Sequence, residues 1–272
     1  MTYSRVLVLG AGYVGSHVAR AAGERGFSVV CTTRSEEARR VLERDGFRTL
    51  VSDELDEDIA SEVTSETHVV VAFPPDDHTD ARVAPALAGA HSVVYVSSTG
   101  VYGERRGLVD DATEVPRPPA PRARRILEAE SAYRAIGATV LRCPGIYGAE
   151  RGLHRRVLRG EHRIPGDGSR TLSRIHVVDL AELLLAASKV RGETFVVGDL
   201  APAPHVDVVR FVCDTYGVPM PPSVPIGDVH DSLRADRRID GSRALALLGV
   251  TLRFPSYREG MSPQATGIAP RG

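Results

Sequence analysis

The chain has 272 residues, with 34 basic and 35 acidic side chains, a formal net charge of −1, and a single lysine, Lys189. A chain of this length buries about three quarters of its unfolded surface without needing disulfides or a structural metal, and 42% hydrophobic with 25% charged residues excludes collagenous, coiled-coil and largely disordered chains. The balanced charge gives no support to nucleic-acid binding, Cys31, Cys143 and Cys213 form no disulfide or metal-ligand pattern, and no apolar run approaches the roughly 18 residues of a membrane span, so a cytoplasmic protein with neither nucleic-acid nor membrane partner is expected.

In chain order, the apolar run 5–9 predicts a strand, glycine-punctuated sequence follows, and helical spacing over 13–25 ends at Gly26. The alternation continues with strands at 28–32, 47–51, 68–73 and 91–96, and helices at 36–45 and 81–90. A helix at 121–136 and a strand at 138–142 complete the first part. Short β-rich runs alternating with helices specify a parallel sheet covered on both faces. Residues 1–148 are therefore expected to form a doubly wound α/β Rossmann domain. Residues 149–272 read as a smaller α+β part that covers the substrate side, with 172–198 contributing to the main sheet through a strand at 193–197. Helices are expected at 153–159, 178–188, 206–216 and 242–248, and the tail 262–272 reads as disordered.

Strand one runs into Gly10-Ala11-Gly12-Tyr13-Val14-Gly15, a G-x-G-x-x-G between a strand and a helix. The first glycine permits the tight turn, the second lets backbone approach a pyrophosphate, and the third lets the helix pack on the strand. The competing reading is a plain glycine turn. Where an acid would hold the ribose hydroxyls of NAD, the chain reads Thr33-Arg34-Ser35. Arg34 is placed to fork onto a 2′-phosphate with Thr33 and Ser35 as further donors, so NADP(H) is favoured over NAD(H); the alternative is a solvated arginine at a helix start. Asp53 is a candidate for the adenine edge, and Ala72, Phe73 and Pro74 for the wall of the cofactor cleft.

The fifth strand continues into Ser97-Ser98-Thr99-Gly100-Val101-Tyr102-Gly103. With the glycine motif, Leu141-Arg142-Cys143-Pro144-Gly145-Ile146-Tyr147-Gly148 and Arg174-Ile175-His176-Val177-Val178-Asp179-Leu180, this resembles the extended short-chain dehydrogenase/reductase family, the NAD(P)-dependent epimerase/dehydratase group. The resemblance implies that Ser98 occupies the family's active-site Ser/Thr position. It also implies that Ser97 and Pro144, Gly145 and Ile146 border the cofactor, the last three at the nicotinamide. Thr99, Arg174 and His176 would then lie on the substrate side.

The family's reaction depends on a Tyr-x-x-x-Lys pair, whose tyrosine moves a proton while the nicotinamide exchanges a hydride. By register against Glu130, the corresponding positions here are Arg122 and Ile126. Neither substitutes, since arginine stays protonated and isoleucine has no exchangeable proton. Leu185 stands four residues before the only lysine, so the chain contains no Tyr-x-x-x-Lys at all. Tyr102 is the first candidate to take over the proton, the alternative being a ring packed under its loop; Tyr133 and Tyr147 are weaker candidates. The slot for a dehydratase's acid pair reads Thr99-Gly100, which argues against sugar dehydration. Arg122, Arg124, Arg125, Arg155, Arg156, Arg163 and Arg174 offer anion-binding groups, Arg174 foremost, with Arg122 a further substrate-side candidate. The loop 103–121, carrying Gly107 and four prolines, is expected to be a lid.

These readings predict an atypical NAD(P)-dependent reductase or epimerase-like oxidoreductase acting on a small polar, anionic or sugar-like molecule, without a metal, as a monomer or homodimer. The alternative is a non-catalytic NADP(H)-binding sensor of the same fold.

Overall fold

The computed structural model describes residues 3–51, 57–76, 78–229 and 233–270. In chain order it comprises β1 (Arg5–Leu9), α1 (Tyr13–Glu24), β2 (Ser28–Thr33), α2 (Glu36–Arg44), β3 (Arg48–Val51), α3 (Glu57–Glu62), β4 (Thr67–Val71), α4 (Thr79–Ala86), β5 (Ser92–Ser98), β6 (Arg106–Val109), α5 (Pro121–Ala135) and β7 (Thr139–Cys143). The chain continues through β8 (Gly145–Tyr147), α6 (Leu153–Leu158), β9 (Ile164–Pro165), β10 (Thr171–Leu172), β11 (Arg174–His176), α7 (Val177–Ala186) and β12 (Thr194–Val196). It closes with β13 (Ala203–Pro204), α8 (His205–Tyr216), β14 (Ser223–Val224), β15 (Asp236–Ile239), α9 (Ser242–Leu248), α10 (Tyr257–Gly260) and α11 (Pro263–Thr266).

Seven strands form one parallel sheet in the order β12-β7-β5-β4-β1-β2-β3. Every residue of β4 and β7 is buried, as expected of strands covered on both faces. On one face α1 packs against α7 through Val18, Ala19, Ala22, Leu180, Leu183 and Leu184. On the other, α4 and α5 cover β4 and β5, with the Tyr95 and Tyr133 rings stacked at 4.7 Å. The strand expected at 193–197 enters this sheet as β12, with Val196 opposite Arg142. The rest of the C-terminal part builds its own core from Tyr147, Val157, Val208, Val212, Tyr216 and Met261.

Two expectations are corrected. The tail read as disordered is packed as far as Ile268: α11 lies within it, Ile268 rests on the C-terminal core, and buried Thr266 places its Oγ1 2.6 Å from the buried Tyr216 Oη. Four-residue helices are too short to show a period in sequence, and their burial comes from partners about 50 residues away. The loop 103–121 is not a free lid either. Its β6 pairs in parallel with β15, Asp240 N donates to Val109 O at 2.9 Å, and Asp111 accepts from Val196 N at 2.5 Å. The lone lysine has a structural use, since Lys189 Nζ donates to Leu248 O at 2.9 Å at the end of α9.

Candidate active site

The turn between β1 and α1 is shaped by steric exclusion. Gly10 has φ +85°, and a Cβ there would meet Phe73 N and Cβ at 2.8 Å; a Cβ on Gly15 would collide with Gly10 O. Gly12 differs, since nothing lies within 4 Å of its Cβ position. The turn is locked from behind, where Gly10 N donates to Thr32 Oγ1 at 3.0 Å and Ala11 N to Thr32 O at 2.8 Å. Open space in front of Gly12, at the N-terminus of a twelve-residue helix, suits a pyrophosphate. Val14 is half-buried against the core, and Tyr13 turns its ring toward His17 at 5.1 Å, with the Arg151 guanidinium 5.2 Å from the ring centroid.

At the end of β2, Thr33 Oγ1 accepts from Ser35 N at 3.2 Å and Ser35 Oγ caps α2 by accepting from Ala38 N at 3.2 Å. Both hydroxyls keep a proton to donate. Arg34 is exposed between them and makes no ion pair among the described residues. Ala72 is anchored by its N–H to Leu9 O at 2.8 Å, half-buried Phe73 backs Gly10, and Pro74 is exposed. Asp53 lies outside the described residues.

Ser98 closes β5 and caps the 3₁₀ turn Thr99–Tyr102, its Oγ accepting from Gly100 N at 3.0 Å. The acceptance fixes the oxygen and leaves its proton available to an oxygen in the cleft. Directly behind, Ile126 is buried with Cδ1 3.6 Å from the Cβ position of Gly100, so the place implied for a lysine is filled by hydrocarbon. Arg122 is exposed on the first turn of α5. Ser97 and Thr99 are buried, and Ser97 Oγ donates to Glu130 Oε1 at 2.6 Å.

That bond belongs to a charged network the sequence reading did not single out. Glu130, wholly buried, accepts from Arg142 Nε at 2.9 Å and Nη2 at 2.7 Å, and Arg142 Nη1 donates to Tyr102 Oη at 3.0 Å. Burial opposes the guanidinium charge, but the Glu130 fork more than offsets it and Arg142 is held firmly protonated. Burial raises the Tyr102 phenol despite Arg142, and the ring is fully enclosed. Tyr102 is thus packed under its loop rather than swung into the cleft. An arginine inside the apolar run 139–143 is the sequence signal for such a network, because a charge there needs a buried partner.

On the opposite side, β8 pairs with β11, setting Arg174 opposite Gly145, Ile175 opposite Ile146 and His176 opposite Tyr147. Pro144 and Ile146 are half-buried and Gly145 is exposed. Alternation along β11 buries Ile175 in the main core and turns Arg174 and His176 to the other face. His176 Nδ1 accepts from Val178 N at 3.3 Å, and burial lowers the ring pKa to about 4, so it is neutral with its proton on Nε2. Phe254 covers the ring at 3.8 Å between centroids. Both line an open cleft of about 700 Å³ between the N-termini of α1 and α7 and the segment 253–265, with His17, Glu150, Arg253 and Glu259 also on its walls. This cleft includes neither Ser98 nor the glycine motif. Asp179 fastens its outer wall by accepting from Arg253 N at 2.7 Å and Phe254 N at 2.9 Å. No cluster of metal-ligating side chains occurs among the described residues, and no helix among them is long and apolar enough to cross a membrane.

No protein-family model and no curated protein matches this sequence. Solved structures do match over nearly the full length. The chain is similar to a conserved protein of unknown function from Silicibacter pomeroyi, with 28% identity, a TM-score of 0.84, and 95% of this chain and 96% of that one covered. It is similar to MoeE5, solved in complex with UDP-glucose and NAD, at 26% identity and a TM-score of 0.78, covering 94% and 96% of the two chains. A third likeness, at 25% identity and a TM-score of 0.73 with 96% and 97% covered, is to a protein from Methylobacillus flagellatus described as an NAD-dependent epimerase/dehydratase. The motifs in their order, the seven-stranded sheet that carries them and these full-length likenesses make the chain similar to the epimerase/dehydratase group of the extended short-chain dehydrogenase/reductase family.

Proposed function

We propose that the protein is an atypical NAD(P)-dependent reductase or epimerase-like oxidoreductase acting on a small polar, anionic or sugar-like substrate, with NADP(H) preferred. The observation that carries this reading is the pairing of an open backbone cradle at Gly12 with Ser98, whose oxygen is fixed and whose proton is free. Gly10, Gly12, Tyr13, Val14 and Gly15 would seat the pyrophosphate, and Thr33, Arg34 and Ser35 the 2′-phosphate. Ala72, Phe73, Pro74 and Ser97 would border the dinucleotide, with Pro144, Gly145 and Ile146 beside the nicotinamide. When bound, the nicotinamide supplies or accepts a hydride.

Ser98 Oγ–H then donates to the reacting oxygen and favours the charge that develops on it. Thr99, Arg122, Arg174 and His176 would face the substrate. The enclosure of Tyr102 against Arg142 supports a packing role for it, which leaves the proton to a group of the substrate. A lost general acid costs about 10²–10⁴-fold, so turnover is expected to be slow. The test is NADPH oxidation against a panel of carbonyl compounds with a Ser98→Ala control: turnover that Ser98→Ala reduces about 100-fold supports the enzyme. Tight NADPH binding with no turnover on any compound favours the second reading, a non-catalytic NADP(H) sensor, for which the hydrocarbon at Ile126 speaks.

A further inference from the structure

A guanidinium in a protein interior ordinarily sits on a carboxylate, because a charge removed from water without a partner is costly. Arg174 departs from this. It is 7% exposed, its side chain makes no hydrogen bond among the described residues, and Nη1 is enclosed without an acceptor. Its guanidinium lies over the Tyr257 ring, 5.3 Å from the centroid.

Asp199 is held beside it, its backbone N–H donating to Arg174 O at 2.7 Å. Asp199 is 3% exposed; Oδ1 accepts from Ala201 N at 3.2 Å, and Oδ2 has no partner. The two charges influence one another, yet no nitrogen and oxygen of theirs approach within the 4.0 Å of an ion pair. An acid and a base are thus buried side by side and held apart, each with an unused valence.

Two features tie this pair to the site. Arg174 is the register partner of Gly145, immediately after Pro144. His176, on the same face of β11, lines the open cleft, and Glu259 on the cleft wall acts electrostatically on Asp199. The cleft therefore lies near the pair, its walls carrying His176 and Glu259 but neither Arg174 nor Asp199.

We propose that Arg174 and Asp199 recognise a small hydroxycarboxylate, the carboxylate accepting from the Arg174 guanidinium and a neighbouring hydroxyl donating to Asp199 Oδ2. This rests on the oxidoreductase reading above and narrows its substrate to molecules carrying both groups, of the kind of glycerate or a sugar acid. A neutral sugar would leave the Arg174 charge uncompensated. A phosphate dianion would set more negative charge against the Asp199 carboxylate.

Isothermal titration of the NADPH-loaded protein with glycerate, gluconate and galacturonate, against acetate, glucose and inorganic phosphate, tests this. At least one hydroxycarboxylate is expected to bind ten-fold or more tightly than all three comparators, where ten-fold is about the effect of one hydrogen bond to a charged group. Arg174→Met should abolish that binding while leaving the thermal midpoint of the ligand-free protein unchanged or raised, because it removes an unpaired buried charge; a merely structural arginine would lower it. Asp199→Asn should keep acetate binding and lose the preference over acetate. Arg174→Lys, which keeps charge without the fork, should lose most of the affinity and carries the test if Arg174→Met folds poorly. Equal affinity for acetate or glucose, or undiminished binding by the Arg174 variants, overturns the proposal. NADPH binding read on the same samples separates the cases: if NADPH binds and no hydroxycarboxylate does, this site alone fails, whereas a protein that does not bind NADPH removes the oxidoreductase reading.

Discussion

Glu130 is the residue whose loss the structure penalises most plainly. It is wholly buried and holds Arg142 by two bonds, so Glu130→Ala leaves a guanidinium in the interior without its counterion. Breaking a buried pair from one side costs about 3–5 kcal/mol, and urea denaturation should show a loss of that size. Tyr102→Phe removes one hydrogen bond at the rim of the same network and should cost only about 1–3 kcal/mol, with turnover unaltered. A collapse of turnover in that variant at unchanged stability would restore Tyr102 as the proton donor. Arg34→Ala should weaken NADPH by about 10- to 100-fold and NADH hardly at all, the value of a charge-assisted contact to phosphate, measured by fluorescence titration. Equal losses would remove the argument for the 2′-phosphate. The glycine motif, Arg34 and Ser98 were legible in the sequence because each acts through local backbone geometry or its place at a strand end. Asp199 and the Glu130–Arg142 fork were not, because their significance lies in burial and in partners 25 and 12 residues distant.

At the scale of elements, the least anticipated one is the C-terminal segment with α10 and α11. It is fixed at one end by Asp179, on α7, and at the other by Tyr216, on α8, whose Oη lies 2.8 Å from Met261 O. Asp179→Ala leaves two backbone N–H groups without their acceptor, each at about 1–3 kcal/mol if it stays buried. Limited proteolysis should then cut within 253–266 while NADPH affinity stays that of the wild type. Cleavage elsewhere, or loss of NADPH binding, would mean that the segment supports the sheet rather than only the cleft. The repeating strands and helices of the first half could be read from sequence because each is long enough to display its period. Elements of two to four residues such as β10, β13, α10 and α11 carry no period and exist through contacts with distant chain. The same reasoning accounts for the loop 103–121, whose glycine and prolines suggest a lid but whose β6 is captured by β15, about 130 residues on.

Over the whole molecule, acid stability is set by histidines buried in the neutral state. Burial lowers His68, His154, His162 and His176 to about 4 and His205 to about 3, from an ordinary value of 6.5. The unfolded chain takes up these protons first, so the stability they contribute is complete above pH 6.5 and is lost as pH falls from 6.5 toward 4. Asp199, raised by burial to about 6, acts with the opposite sign as pH moves between 3.8 and 6, and Asp80, Asp111 and Asp179, which burial also raises, act in the same sense as Asp199; five rings stand against these four carboxylates. The thermal midpoint should therefore fall steadily below pH 6.5, and a flat or rising midpoint down to pH 4.5 would show that these rings are not buried neutral. The sequence by itself determined the α/β class, the strand–turn–helix that shapes the cradle, and the absence of any Tyr-x-x-x-Lys, because periodicity, glycine sterics and a lysine count are local or compositional facts. Only the tertiary structure decided that Ile126 fills the place implied for the lysine, that Tyr102 lies buried on Arg142, and that Arg174 and Asp199 stand unpaired beside β8. Those are matters of burial and of distances between strands remote in sequence, which arise only when the sheet closes and water is excluded.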